Sequence, residues 1–370
     1  MAHIEDRWKR PGNRDRLRYR ARYIAPDGRE RSKSFARKAD ARSWLDAQES
    51  AKVTRTWTDP AKGRVLFADW FGQWQRTTAR LRQSTEARDE RLFRRYVLPR
   101  FGRVQLGNID QLAVAEWTAE LSRHLAPATV DRAYRLLSKV MRAAVDARML
   151  AETPCRRILL PKIEHEEMRF LAPAEIARLA DAIDPAYRAL VLVAAYGGLR
   201  IGELAGLTRR RVDLDRGSVQ VVQTLTEVDA TLVLGPTKTR ASRRTVSLPR
   251  LVVNELAKHI GRYGDPDQYV FRTVTGRPLR TRNFRHRAWK RATQRAGLAG
   301  LRIHDLRHTA VALWIAAGAG PKEVAARAGH TSVSFTLDRY GHLYPEADSA
   351  LRDRLDAFVI GSAPGGSTAP

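Results

Sequence analysis

The chain has one cysteine, Cys155, in 370 residues. That excludes an intramolecular disulfide and any zinc finger built on cysteine ligands. Long apolar runs are equally scarce. The longest, from Ala189 to Leu199, is too short to span a bilayer and is interrupted by glycines. The first residues, Met-Ala-His-Ile-Glu-Asp-Arg, are charged and lack the apolar core of a signal peptide. These absences predict a soluble, cytoplasmic, reduced protein with no membrane partner. No Gly-x-x-x-x-Gly-Lys-Ser/Thr loop and no strand-bound Gly-x-Gly-x-x-Gly is present, so the usual nucleotide sites are missing. Acidic residues are in deficit, 40 against 67 Lys+Arg, leaving a formal charge of +27. Lysine is rare among those cations, 11 against 56 arginines. The arginine bias follows genome composition and says little about function. The net charge points to a polyanionic partner, most often nucleic acid.

What is present reads as a globular chain of two or three domains, 43% hydrophobic and 29% charged. Residues 1–55 form a β-rich module closed by a helix. Leu17, Tyr19, Ala21 and Tyr23 alternate with Arg16, Arg18, Arg20 and Arg22, the period of a half-buried strand. Pro26-Asp27-Gly28 signals a turn into a second strand through Arg31, Lys33 and Phe35, and a helix follows over 37–49. The arginine face is either an ordinary solvated surface or a DNA-facing one. The second reading is favoured, because a cationic face repels itself unless an anion lies against it. Residues 56–64, with Asp59-Pro60 and Gly63, read as a linker. Residues 65–150 are helical, with Phe67, Trp70, Phe71 and Trp74 at helical spacing and caps expected at Ser84 and Asp110. Arg91, Arg94, Arg95, Arg132 and Arg135 lie on polar faces suited to phosphates. A second linker covers 151–169. Residues 170–360 mix helices with three short strands near 211–224, 231–235 and 243–248, and Arg243 lies in a basic loop beside them. The tail 361–370 is predicted to be disordered.

Few residues of 170–360 carry chemistry. Gly197-Gly198-Leu199-Arg200 turns out of an apolar helix and presents Arg200, with Glu203 one helical turn on. His304 and Arg307 share a helical face. His304 and His308 have the spacing of a zinc pair, but Asp305 stands where such a site needs a Glu base and no third ligand follows, so no metal is expected. Lys238, in an expected hairpin turn over 235–240, is the one lysine between Lys162 and Lys258. Lysine can donate a proton where arginine stays charged. Ala328-Gly329-His330 ends a helix, and Tyr340 follows ten residues later.

Taken in order, Arg200, Lys238, His304-x-x-Arg307, Gly329-His330 and Tyr340 resemble the catalytic signature of the tyrosine recombinase (phage integrase) family. The stretches Gly-Gly-Leu-Arg-Ile-Gly-Glu-Leu, His-Asp-Leu-Arg-His-Thr and Thr-Leu-Asp-Arg-Tyr-Gly-His carry the likeness, with no departure at a catalytic position. The resemblance implies a multidomain, mainly α protein with small β-sheets. An N-terminal three-stranded sheet plus helix would be the arm-type DNA-binding domain. The helical part would be a core-binding domain, and the remainder an α+β catalytic domain.

The implied reaction is cutting and rejoining of DNA strands at specific sites, with no cofactor, metal or ATP. Tyr340 would attack phosphorus and form a 3′-phosphotyrosyl bond. Ionising a phenol at pH 7 costs about 4 kcal/mol from its reference pKa, a cost that a cationic cluster would lower. Arg200 and Arg307 would clamp the phosphate oxygens, as guanidinium forks suit them. By resemblance, Lys238 would protonate the leaving 5′-oxygen, His304 would assist proton transfer with Tyr340, His330 would bond a phosphate oxygen, and Glu203 would orient Arg200. The partners implied are double-stranded DNA attachment sites, a homotetramer assembled on DNA, a host DNA-bending protein and an excision factor, with nucleoid association. A helix over 347–359 would dock on its own protomer or on a neighbour. Two alternatives stand beside this reading: a type IB topoisomerase-like relaxing enzyme, and a non-catalytic DNA-binding regulator.

Overall fold

The computed structural model describes residues 2–344, apart from 10–11, 13, 15–16, 55–56, 60, 78–82, 165–166, 238, 264–267 and the side chain of 240; beyond 344 it describes 352, 355, 356 and 358. Arg16, Lys238 and the tail 361–370 lie outside the described residues, as do most of 347–359. The chain forms two compact units, residues 1–164 and 165–370.

The first unit opens with an antiparallel sheet in the order β1-β2-β3, from β1 (His3–Asp6), β2 (Tyr19–Ile24) and β3 (Glu30–Phe35). Helix α1 (Lys38–Val53) covers it with Ala41 and Leu45, against Ala21 and Tyr23 of β2. The Tyr23 hydroxyl donates to Gln48 at 3.1 Å and accepts from the Trp57 indole at 2.8 Å, so the buried phenol keeps both partners. Alternation along β2 holds from Tyr19. Leu17 precedes the strand and is exposed.

The arginine face of β2 departs from expectation. Arg18 pairs with Asp6 at 3.0 Å, and Arg22 with Glu5 and Glu30, each at 3.1 Å. Arg20 donates to Ser32 at 2.9 Å. The flanking strands β1 and β3 therefore supply the anions, and self-repulsion on this face requires no external polyanion.

Helices α2 (Phe67–Thr77), α3 (Gln83–Leu92), α4 (Leu98–Phe101), α5 (Gln111–Ser122) and α6 (Pro127–Asp146) enclose a separate core. A π-turn over Phe93–Val97 joins α3 to α4. Ser84 falls inside α3 and is no cap, whereas Asp110 accepts the Ala113 N–H at 2.8 Å, as its position predicts. In α6, Val130, Ala133, Leu137, Val140, Met141 and Ala144 recur at three- and four-residue steps and are buried. Phe71 and Phe93 stack at 3.6 Å, and the indoles of Trp70 and Trp117 donate to the carbonyls of Val140 and Tyr96, both at 3.0 Å. Phe67, Trp70, Phe71 and Trp74, at helical spacing in the sequence, are thus core residues.

In the second unit, α8 (Pro185–Gly197) is buried on nearly all sides, as its apolar composition requires. It packs against α7 (Pro173–Ala182), α10 (Arg250–Tyr263) and α13 (Asp305–Ala316). The short α9 (Ile201–Ala205) lies against the strand Gln223–Val228. Instead of three strands there are five among the described residues of this unit, in two sheets. Strands β4 (Val212–Asp213), β5 (Ser218–Val221) and β8 (Arg244–Ser247) form one sheet, and β6 (Gln223–Val228) and β7 (Thr231–Pro236) form a hairpin. The hairpin turns at Asp229 and Ala230, both at positive φ, the geometry that matches strand twist in a two-residue turn. Segment 235–240 is therefore no hairpin turn, because β7 and β8 belong to different sheets. The fold is completed by α11 (Thr281–Phe284), α12 (Lys290–Arg295), α14 (Pro321–Ala328) and α15 (Val333–Tyr340). Among the described residues no helix is long and apolar enough to cross a membrane.

Leu137 is fully buried in the helical core. Leu137→Ala is expected to cost about 2–5 kcal/mol by leaving a cavity. Urea unfolding should show a lower midpoint at unchanged slope; an unchanged midpoint would remove Leu137 from the core.

Candidate active site

Two glycines end two helices and set the site. Helix α8 stops at Gly198, with φ 65, and α14 at Gly329, with φ 67, a region open to glycine at no steric cost. A Cβ on Gly198 would lie 2.6 Å from the Trp314 ring, so that position admits no side chain. The carbonyls at these helix ends lack intrahelical partners. Arginines take them up. Arg307 donates through Nη1 to Gly198 O at 2.6 Å and through Nη2 to Ala328 O at 2.5 Å, and Arg200 Nη2 donates to Gly329 O at 3.4 Å. Carbonyls orient a guanidinium without cancelling its charge.

One carboxylate holds the rest. Glu203, with 1% of its side chain exposed, pairs with Arg200 at 2.8 Å and with Arg244 at 3.0 Å. It also accepts the Arg200 backbone N–H at 2.9 Å, closing the N-terminus of α9. Arg244, on β8, reaches on to Arg327 O at 2.7 Å and ties the sheet to α14. Burial opposes ionisation of Glu203, but Arg244 and then Arg200 outweigh it and hold the carboxyl below its ordinary range. Arg307 is pressed below its ordinary value by burial and by the charges of Arg200 and Arg244, yet a guanidinium stays protonated at working pH. Three cations thus gather around one anion, leaving a surplus of positive charge suited to an oxyanion.

Tyr340, the last residue of α15, is 2% exposed. Its hydroxyl lies 2.6 Å from Nδ1 of His308, one helical turn beyond His304 on α13. The ring of His330 is parallel to the phenol at 6.2 Å, and its Nδ1 is 2.8 Å from the Thr336 hydroxyl. Burial leads, and neighbouring cations add, in pushing both imidazoles down to about 4. Both are therefore neutral at pH 7. Burial also raises the Tyr340 phenol above its ordinary value despite Arg307, Arg339 and Arg200. The cations do ease its ionisation, as expected, but desolvation of the phenolate is the larger effect.

Of the residues singled out in the sequence, Arg200, Glu203, Arg307, His330 and Tyr340 come together. His304 is exposed and meets the edge of the His308 ring at 4.8 Å; the phenol is bonded to His308 instead. Lys238 lies outside the described residues. Arg91, Arg94, Arg132 and Arg243 are exposed, with Arg94 paired to Glu90. Two residues escaped sequence reasoning. Arg244 shares the inward face of β8 with Val246, and period-two alternation from that valine would have separated it from its neighbour Arg243. His308 carries an i,i+4 spacing that signals a metal pair, and the same spacing equally puts it over the same face as His304. Among the described residues no group of three His, Cys, Asp or Glu side chains is placed to hold a metal ion.

Residues 169–347 match the sequence profile described as the phage integrase family, and residues 17–55 match that of the phage integrase N-terminal domain. The integrase of Mycobacterium phage L5 is 28% identical over 359 residues, 92% of this chain and 95% of that one. The ICEBs1 integrase of Bacillus subtilis (strain 168) is 29% identical over 248 residues, 64% of this chain and 67% of that one. The Tn1549 transposon integrase, solved in complex with transposon right end DNA, superposes with a TM-score of 0.69 at 20% identity. That likeness covers 79% of this chain and 100% of the other, and concerns the fold.

The buried groups give stability a definite pH dependence. His308 and His330 have folded pKa values depressed to about 4 from 6.5, so between those values the unfolded chain binds more protons. Their contribution is complete above pH 6.5 and is lost as pH falls toward 4. Glu203, also depressed, adds a loss as pH falls below its ordinary value of 4.5. Urea unfolding at pH 7, 5.5 and 4.5 should show falling stability, and a flat profile contradicts the burial of these rings. Glu203→Gln should cost about 3–5 kcal/mol at pH 7, because Arg244 is then buried without its counter-charge.

Proposed function

Since the chain belongs to the phage integrase family of tyrosine recombinases and is a site-specific DNA recombinase, we propose that Tyr340 is its nucleophile and that Arg200, Arg307 and His330 hold the scissile phosphate. One observation carries the reading: Arg307 is buried beside the phenol and held by two carbonyls, so its charge is oriented and still available. The phenol oxygen forms a bond to phosphorus and the bond to the 5′-oxygen breaks, leaving a 3′-phosphotyrosyl link. Lys238 gives its proton to the 5′-oxygen. Attack by the 5′-hydroxyl of another strand reverses each step. The covalent link stores the energy of the phosphodiester, so no nucleotide is consumed. Glu203 positions Arg200 and Arg244. Each donor aimed at the growing phosphorane charge contributes about 2.7–4 kcal/mol.

The DNA-binding parts follow from the same reading. Residues 1–55 are an arm-type module, 65–150 a core-binding domain and 170–360 the catalytic domain, joined by linkers at 56–64 and 151–169. The DNA-bound Tn1549 relative supports double-stranded DNA as the partner. Exposed Arg91, Arg132 and Arg243 are suited to phosphates. Arg18, Arg20 and Arg22 are already engaged within their sheet and reach DNA only by exchanging those partners. The working form is a homotetramer on attachment sites, assisted by a host DNA-bending protein and an excision factor, and is nucleoid-associated.

Tyr340→Phe should abolish the covalent adduct on a nicked suicide substrate while leaving DNA affinity unchanged, as read by denaturing gels and by gel shift. Arg200→Ala and Arg307→Ala should each slow adduct formation at least about 100-fold. An adduct persisting in Tyr340→Phe would refute the nucleophile assignment.

A further inference from the structure

We propose that His308, rather than His304, accepts the phenolic proton of Tyr340 during attack on phosphorus. This rests on the reading of Tyr340 as the nucleophile. A general base must lie within hydrogen-bond reach of the proton it takes, and Nδ1 of His308 is 2.6 Å from the Tyr340 oxygen. Both groups are buried, on the consecutive turns of α13 and the last turn of α15, so the contact is held by two helices. His304 stands at the N-cap of α13, exposed, with its ring edge-on to His308 at 4.8 Å.

For His308 to accept, Nδ1 carries no proton and Nε2 does. The Tyr340 O–H bond breaks, an N–H bond forms at Nδ1, and the freed oxygen pair forms the bond to phosphorus. The imidazolium so formed lies beside the negative charge growing on the phosphorane. On rejoining, the proton returns to the phenol. The charged and titratable groups around His308 are His304, Arg302, Arg339, Asp305, His330 and Tyr340 itself. Burial, His304 and Arg339 keep the free imidazole neutral, against the opposing charge of Asp305. A bound phosphodiester brings an anion to this cationic surround and raises the basicity of the ring, so the substrate itself activates the acceptor.

The test is single-turnover adduct formation on a nicked substrate across about pH 6 to 10. His308→Gln should slow the step about 10²–10⁴-fold with DNA affinity unchanged. The rate of that variant should climb with pH as the phenol ionises in solution. Replacing Tyr340 by a fluorinated tyrosine of lower phenol pKa should recover most of the loss in His308→Gln and change the otherwise native enzyme little. Wild-type rates in His308→Gln, or a loss that the acidic phenol does not recover, would overturn the proposal. So would recovery confined to His304→Gln. A second measurement needs no variant: nitrogen-15 spectra of the histidine-labelled full chain should show His308 with its proton on Nε2, and a proton on Nδ1 overturns the assignment. An adduct surviving in Tyr340→Phe would instead sink the nucleophile reading, so the two failures are distinct.

Discussion

A single carboxylate, Glu203, organises the catalytic unit. It is shut away from water and binds guanidiniums from two directions, Arg200 at the start of α9 and Arg244 on β8. Through Arg244 it also reaches α14 by way of Arg327 O. Three elements remote in sequence are thereby held in one arrangement. Such a buried ionic group is weak evidence for net stability, since desolvation offsets much of the attraction. Its consequence here is geometric. It places Arg200 beside Arg307 with one negative charge between three positive ones.

The second constraint is that the remaining hydrogen bonds to these arginines come from carbonyls. Gly198, Ala328 and Gly329 terminate helices, and their carbonyls would otherwise be orphaned. Using them as acceptors closes the helix ends and aims two guanidiniums without neutralising either. A second carboxylate in their place would leave much less positive charge for a phosphate. The left-handed turns at Gly198 and Gly329 are therefore tied to the chemistry through backbone geometry.

Burial and charge compete at Tyr340, and burial wins. The cations that suit a phosphate also favour phenolate, but a phenol sealed from water resists ionisation more strongly than they assist it. The resting site therefore holds a neutral phenol against a neutral imidazole. Reactivity has to come from a change in surroundings, and an arriving phosphodiester supplies one.

The periodicities of α6, α8 and β2 were legible in the chain, because each buries a face whose spacing is written in consecutive residues. So was the order of Arg200, His304, Arg307, His330 and Tyr340, because these lie in short local stretches. Hydrogen-bond partners were not legible. The anions that meet Arg18 and Arg22 come from β1 and β3, and no pattern within β2 announces them. The identity of the histidine at the phenol depends on how the last turn of α15 meets α13, which a spacing of four residues leaves open between His304 and His308. Arg244 rather than Arg243 points inward because β8 pairs with β5 in a particular register. Residue order by itself determined which chemical groups this protein brings to bear. Only the tertiary structure decided which of them touch, because hydrogen bonds and buried charges depend on distances of a few tenths of an ångström between elements far apart in the chain.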